Sequence, residues 1–256
     1  MRPFRPVQGG AAAQGPVPFS SLVSITSMAD LAAQFDAIEK ISTHAQKVEE
    51  FKKLAERLFS SPDVEQLTYF LSRLSEDPPP QGEAVPTMIS RQVLHDFNNL
   101  LFAPGVGLSP AQVKELGNLC LTKLRARLSS FEEQFSAVSE KMADILQAEE
   151  DWKGAAELLT RIPLTSSQRN IPDDYKAKMY VRIAMLYLED DDEINADTFV
   201  ARSHAIVGKS EFKDAETKFQ HQACRARIYD AKRKFQDAAR HYYELSQVGK
   251  SDQLLI

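Results

Sequence analysis

The sequence predicts an all-α chain wound as a right-handed superhelix of antiparallel helix pairs, a solenoid of the tetratricopeptide or HEAT kind. Three observations predict it. A helix-pair pattern returns at a fixed spacing, proline and glycine almost vanish from the last third, and apolar residues recur at helical spacing along the chain.

The pattern is clearest between residues 131 and 250, where three helix-pair repeats are expected. Ala143 and Leu146, then Trp152, Ala155 and Leu159, are echoed by Ala184, then Ala196 and Val200. A second echo is Ala226 and Tyr229, then Phe235, Ala238 and Tyr242. The offsets between corresponding alanines are 41 and 42 residues. A small residue flanked by bulky ones has a physical reason, because two helices approach to ~8–10 Å only where a small side chain sits at the crossing. One hairpin cannot bury its own apolar face, so its neighbours must cover it. These positions, Leu146 included, are therefore the expected repeat core. In the second unit Glu193 stands where the others have Trp152 and Phe235, with Ile194 one place later. The aromatic anchor there is lost or shifted.

Composition agrees with helices. Apolar residues make up 43% of the chain and glycine only 10 of 256 residues, against a usual ~7%. After Pro172 there is no proline, and Gly208 and Gly249 alone interrupt 84 residues. The net charge of −5 is uneven: residues 202–250 hold 11 Lys and Arg against 6 Asp and Glu, leaving the remainder strongly acidic. Such asymmetry suits electrostatic steering of a partner and falls short of a nucleic-acid footprint. Cys120 and Cys224 imply no disulfide framework and are read as free and buried. No apolar run approaches the ~18 residues of a membrane span.

Taken in order, residues 1–20 are rich in Pro, Gly and Ala, without amphipathic period, and are expected to be a disordered extension. Arg2 and Arg5 precede any acidic residue, as in transit peptides, but no amphipathic helix accompanies them and no secretory hydrophobic region follows. Residues 21–130 are expected to form irregular helical hairpins. Leu31, Phe35, Ile38 and Ile41, then Val48, Phe51, Leu54 and Leu58, have helical spacing. Ser61-Pro62 reads as the start of a helix carrying Leu67, Phe70, Leu71 and Leu74. The proline-rich EDPPPQGEAVP connector follows, then a helix with Ile89, Val93, Leu94, Phe97 and Leu101 inward. Ser109-Pro110-Ala111-Gln112 is a capping box opening the next helix. Between the first and second repeat, Asp173 reads as an N-cap.

Reactive constellations are missing. Gly208-Lys209-Ser210 and Gly249-Lys250-Ser251 resemble the tail of a phosphate-binding loop but lack the glycine five residues earlier, and read as helix-terminating turns. The run Glu189 to Glu193 has no EF-hand spacing. Its carboxylates suit a helix N-terminus, with Asp190, Asp191 and Asp192 a candidate partner surface. Five scattered histidines form no zinc motif. Lys232, Arg233 and Lys234 sit at the turn of the third repeat and form the other candidate partner surface; RNA binding through them is the alternative from a different class. No catalytic residue, cofactor site or metal site is expected.

Five segments carry a resemblance: SRQVLHDF (90–97), SFEEQ (130–134), EEDWKGAAELLTRIPL (149–164), DYKAKMYVRIAMLYLEDDD (174–192) and RKFQDAARHYYELS (233–246). In order and spacing they resemble the signalosome subunit 4 family of PCI-domain proteins. The resemblance implies a non-catalytic scaffold in the COP9 signalosome, which removes a ubiquitin-like modifier from cullin–RING ubiquitin ligases through a different, zinc-bearing subunit. It implies other signalosome subunits and the cullin–RING ligase as partners, no membrane, and a cytoplasmic and nuclear location. It also implies a helical-repeat arm leading to a winged helix; residues 251–256 are read as the truncated start of that PCI module, with the winged helix lacking. Subunits of the proteasome lid or the eukaryotic initiation complex share this architecture and are the alternative within the class.

Overall fold

The computed structural model describes residues 27–75, 85–166 and 169–253. The expected extension (1–20), most of the proline-rich connector and residues 254–256 lie outside them. Among the described residues there are eleven α-helices and no strand. They are α1 (Met28–Glu39), α2 (His44–Ser60), α3 (Val64–Ser75), α4 (Thr87–Leu101), α5 (Pro110–Ala126), α6 (Leu128–Ala148), α7 (Trp152–Thr160), α8 (Asp173–Glu189), α9 (Glu193–Val207), α10 (Ala215–Ala231) and α11 (Phe235–Gln253).

The first six helices share one core. Each contributes the apolar stripe its spacing implies, and those of α1 to α4 meet through a chain of phenylalanines. Phe35 packs on Phe51 at 4.8 Å between ring centroids, Phe51 on Phe70 at 6.4 Å, and Phe70 stacks on Phe97 at 5.8 Å. All four rings are fully buried. α2 packs on α4, α3 on α5 and α4 on α6, so the neighbours in space are often two apart in sequence.

A second core lies between α6, α7, α8, α9 and α10. α6 serves both: Phe131, Phe135, Val138 and Met142 face the first core, while Ala143 faces the second. The chain bends inside α6 at Phe131, whose φ of −130° and ψ of 30° leave the helical region. Short turns join α6 to α7, α8 to α9 and α10 to α11, so each pair runs antiparallel.

Helix starts follow local chemistry with two corrections. The Ser109 capping box is present: its hydroxyl accepts from the Gln112 N–H at 3.3 Å, and the Gln112 side chain accepts from the Ser109 N–H at 2.9 Å. Ser61-Pro62, however, does not open α3. Ser61 instead ends α2, held out of the helical region as residues before proline are. Asp63 does the capping, accepting from the Glu65 N–H at 3.0 Å. Asp173 is likewise not the cap of α8 but its first residue, after Pro172. Its carboxylate pairs with Lys209 at 2.5 Å, which holds its pKa below the usual range. Gly208 does terminate α9, whereas Gly249-Lys250-Ser251 continues α11 and terminates nothing.

Candidate protein-interaction surface

One edge of the second core is built from three turns of the same construction. In each, one non-glycine residue is left-handed: Glu150 (φ 63°), Asp191 (φ 57°) and Arg233 (φ 57°). Their spacings, 41 and 42 residues, are those of the alanine repeat. The N–H of the following residue reaches five residues back in each case. Asp151 donates to the Leu146 carbonyl at 2.9 Å, Asp192 to Tyr187 at 2.8 Å and Lys234 to Tyr229 at 2.8 Å. This bond, with the left-handed residue before it, is the Schellman helix ending. It satisfies carbonyls that would otherwise face water alone and turns the chain straight into the next helix. Sequence reasoning named Asp191 and Arg233 as surface charges but missed the left-handed backbone at all three positions, because no glycine marks it.

The acidic run divides its work among these positions. Asp190 caps the end of α8, Asp191 takes the left-handed position and Asp192 caps α9, accepting from the Asn195 N–H at 3.0 Å. That bond, together with a second to the Asn195 side chain, draws the Asp192 pKa down. In the first turn Asp151 does the same for α7, accepting from Gly154 at 2.9 Å. The third turn reverses the charge. Lys232 pairs with Asp197 on α9 at 2.7 Å, while the side chains of Arg233 and Lys234 stay exposed.

The expected core positions separate into two groups. Ala155, Leu159, Ala184, Ala196 and Ala226 are fully buried, and Val200 and Ala238 nearly so. Leu146 and Trp152 are half-buried at the margin of the second core. Phe235 and Tyr242 are a correction: they are 63% and 43% exposed, and Tyr243 is 67% exposed. They lie on α11, which packs on α10 and buries only Ala238 among its side chains up to residue 247. A helix packed mainly on one neighbour covers one face, whatever its sequence offers on the other. Ile194 is 72% exposed, so the second repeat has lost its aromatic anchor and has not shifted it. Phe199 replaces it from within α9, stacking on Tyr187 at 5.9 Å and packing on Tyr180 at 6.2 Å.

Polar bonds between neighbouring pairs add register. Arg182 on α8 reaches Asp144 on α6 at 2.5 Å, and Arg227 on α10 reaches Glu189 at 2.6 Å. Tyr175 is hydrogen-bonded to Glu140, and burial with that bond pushes its hydroxyl pKa far up. His221 stacks on His204 at 5.6 Å, and burial drives its pKa down to about 4. Burial raises both thiols, Cys120 and Cys224, to about 12, so neither is a nucleophile at neutral pH. Among the described residues no group of three His, Cys, Asp or Glu side chains is placed to hold a metal ion, and no helix is long and apolar enough to cross a membrane. What the edge offers chemically is two acidic turns followed by a basic one.

The chain is similar to known proteins in sequence and in fold. The chain is 36% identical over 208 residues to COP9 signalosome complex subunit 4 of Arabidopsis thaliana, covering 81% of this chain and 49% of the relative. It is 35% identical over 208 residues to the Dictyostelium discoideum protein of the same name, covering 81% and 50%. With the Drosophila melanogaster protein it shares 36% identity over 165 residues, covering 64% and 39%. The chain thus spans about half the length of the curated relatives it matches. In structure it resembles nearly identical TPR-like repeats of a Podosopora anserina kinesin light chain, with a TM-score of 0.50 over 83% of this chain and 99% of the other. At 16% identity that likeness speaks for the fold alone. The family model described as PSMD12/CSN4, N-terminal, matches residues 30–253, and the chain belongs to that family.

Proposed function

We propose that the chain is a non-catalytic docking arm of a COP9 signalosome subunit, supporting removal of a ubiquitin-like modifier from cullin–RING ubiquitin ligases in cytoplasm and nucleus. The observation that carries this reading is the 36% identity with signalosome subunit 4 across 208 residues. The edge of capped turns agrees with it: a row of exposed charges on packed hairpins can bind a protein surface. In this reading Asp190 and Asp191 on one turn, and Arg233 and Lys234 on the next, meet partners of opposite charge. The partners are other signalosome subunits and the ligase.

The test is co-purification of the tagged 256-residue chain with the remaining signalosome subunits, and separately with a cullin–RING ligase. Recovery of either partner, reduced by reversing Arg233 and Lys234 to Glu, is the expected result. Recovery of neither partner overturns the reading. The shared family name leaves a proteasome-lid subunit as the second reading, and recovery of lid subunits in place of signalosome subunits would select it.

A further inference from the structure

Between the second and third turns lies an open groove of about 400 Å³. Leu188, Ala231 and the ring of Tyr242 supply its apolar wall, and Asp191, Glu193 and Asp230 bring three carboxylates to it. One cation, Arg227, also lines it, but that cation is occupied. Its guanidinium donates to Glu189 at 2.6 Å and to the Leu188 carbonyl at 3.1 Å. None of the three carboxylates has an ion pair among the described residues. The groove therefore combines a half-exposed aromatic ring, aliphatic side chains and carboxylates that have no ion pair among the described residues.

That combination has a complementary occupant. A lysine or arginine side chain carries an aliphatic stem, which packs on Leu188 and Ala231, and a cationic head, which meets carboxylates and the face of an aromatic ring. A phosphate or carboxylate ligand would meet like charge here, which costs affinity. We infer that this groove receives an arginine or lysine side chain from a partner polypeptide. The inference deepens the docking-arm reading and rests on it for the identity of the partner chain, not for the chemistry of the site.

The probe is N-acetyl-arginine amide titrated into the ¹⁵N-labelled full chain and followed by amide chemical shifts, with N-acetyl-citrulline amide as the neutral match. Saturable shifts centred on Leu188, Asp191, Ala231 and Tyr242 are expected with arginine and not with citrulline. Asp191→Asn together with Asp230→Asn should weaken binding by about fivefold or more, as loss of exposed charge pairs does. Asparagine tolerates the left-handed position 191, so the fold survives the change, and circular dichroism checks that it does. Equal shifts from citrulline, shifts spread evenly over the acidic turn at residues 149–151, or no saturable shift each overturn the inference. Co-purification separates this from the wider reading. A null titration with intact recovery of signalosome subunits removes the groove alone, and a specific titration with no recovery removes the docking arm alone.

Discussion

Arg227 on α10 is bound twice to the end of α8: one guanidinium nitrogen donates to the Glu189 carboxylate at 2.6 Å and the other to the Leu188 carbonyl at 3.1 Å. One side chain thus closes a helix terminus in the neighbouring pair. It ties the third hairpin to the second at the place where α8 has run out of its own donors. The ion pair itself is exposed, and water and salt screen it. A double-mutant cycle of Arg227→Ala with Glu189→Ala in urea should give a coupling under about 1 kcal/mol. Arg227→Ala alone should cost more than Glu189→Ala alone, because it also strands the Leu188 carbonyl. Equal single costs would show that the carbonyl bond contributes nothing.

Aromatic residues that look alike in sequence should differ widely in cost. Phe70→Ala removes a fully buried ring from the first core and should destabilise the chain by ~3–5 kcal/mol. Trp152 is only half-buried, so Trp152→Ala should cost about 1–2 kcal/mol. Phe235→Ala, at a position 63% exposed, should stay within about 0.5 kcal/mol. Denaturant midpoints in that order are the expected outcome; a Phe235 cost comparable with that of Phe70 would mean α11 packs elsewhere in solution.

The left-handed turns allow a backbone test. Glu150 and Arg233 hold φ near 60° without being glycine. Glu150→Val and Arg233→Val should each destabilise by about 1–2 kcal/mol, since a β-branched side chain clashes there. Glu150→Gly and Arg233→Gly should lie between neutral and about 1 kcal/mol stabilising, because glycine reaches that conformation freely. Thermal melting of the four variants checks it.

His221 predicts a pH dependence. Burial is the largest cause of its lowered pKa, with the neighbouring His204 adding to it, so the folded value is about 4 against an ordinary 6.5. The unfolded chain therefore binds a proton that the folded chain refuses between those values. Stability is full above about pH 6.5 and falls as pH drops toward 4. The slope of unfolding free energy between pH 6.5 and 4 should be shallower in His221→Gln than in the wild type. Parallel curves would place the proton uptake on other groups.

Local rules carried far where the decision was local. The Ser109 capping box needs four consecutive residues and no tertiary partner, so four letters sufficed to read it. Ser61-Pro62 offered the same kind of signal and misled, because Asp63 two places on competes for the same helix start and Ser61 is needed to end α2. The left-handed residues Glu150, Asp191 and Arg233 carried no glycine to announce them. Their period was nevertheless legible through the alanines on either side. Of the candidate surface, the charges themselves could be read, but not that Lys232 is tied to Asp197 or Arg227 to Glu189, since each pair joins residues more than thirty positions apart.

By itself the sequence determined that the chain is helical, where most helices face inward and at what interval hairpins recur, since periodicity and capping act within a few residues. Only the tertiary structure decided which inward face is covered. Ala238 and Phe235 stand three residues apart on one helix, yet one is buried against α10 and the other is open to solvent. Burial needs a second surface, and the placement of that surface is settled by packing between elements distant in sequence.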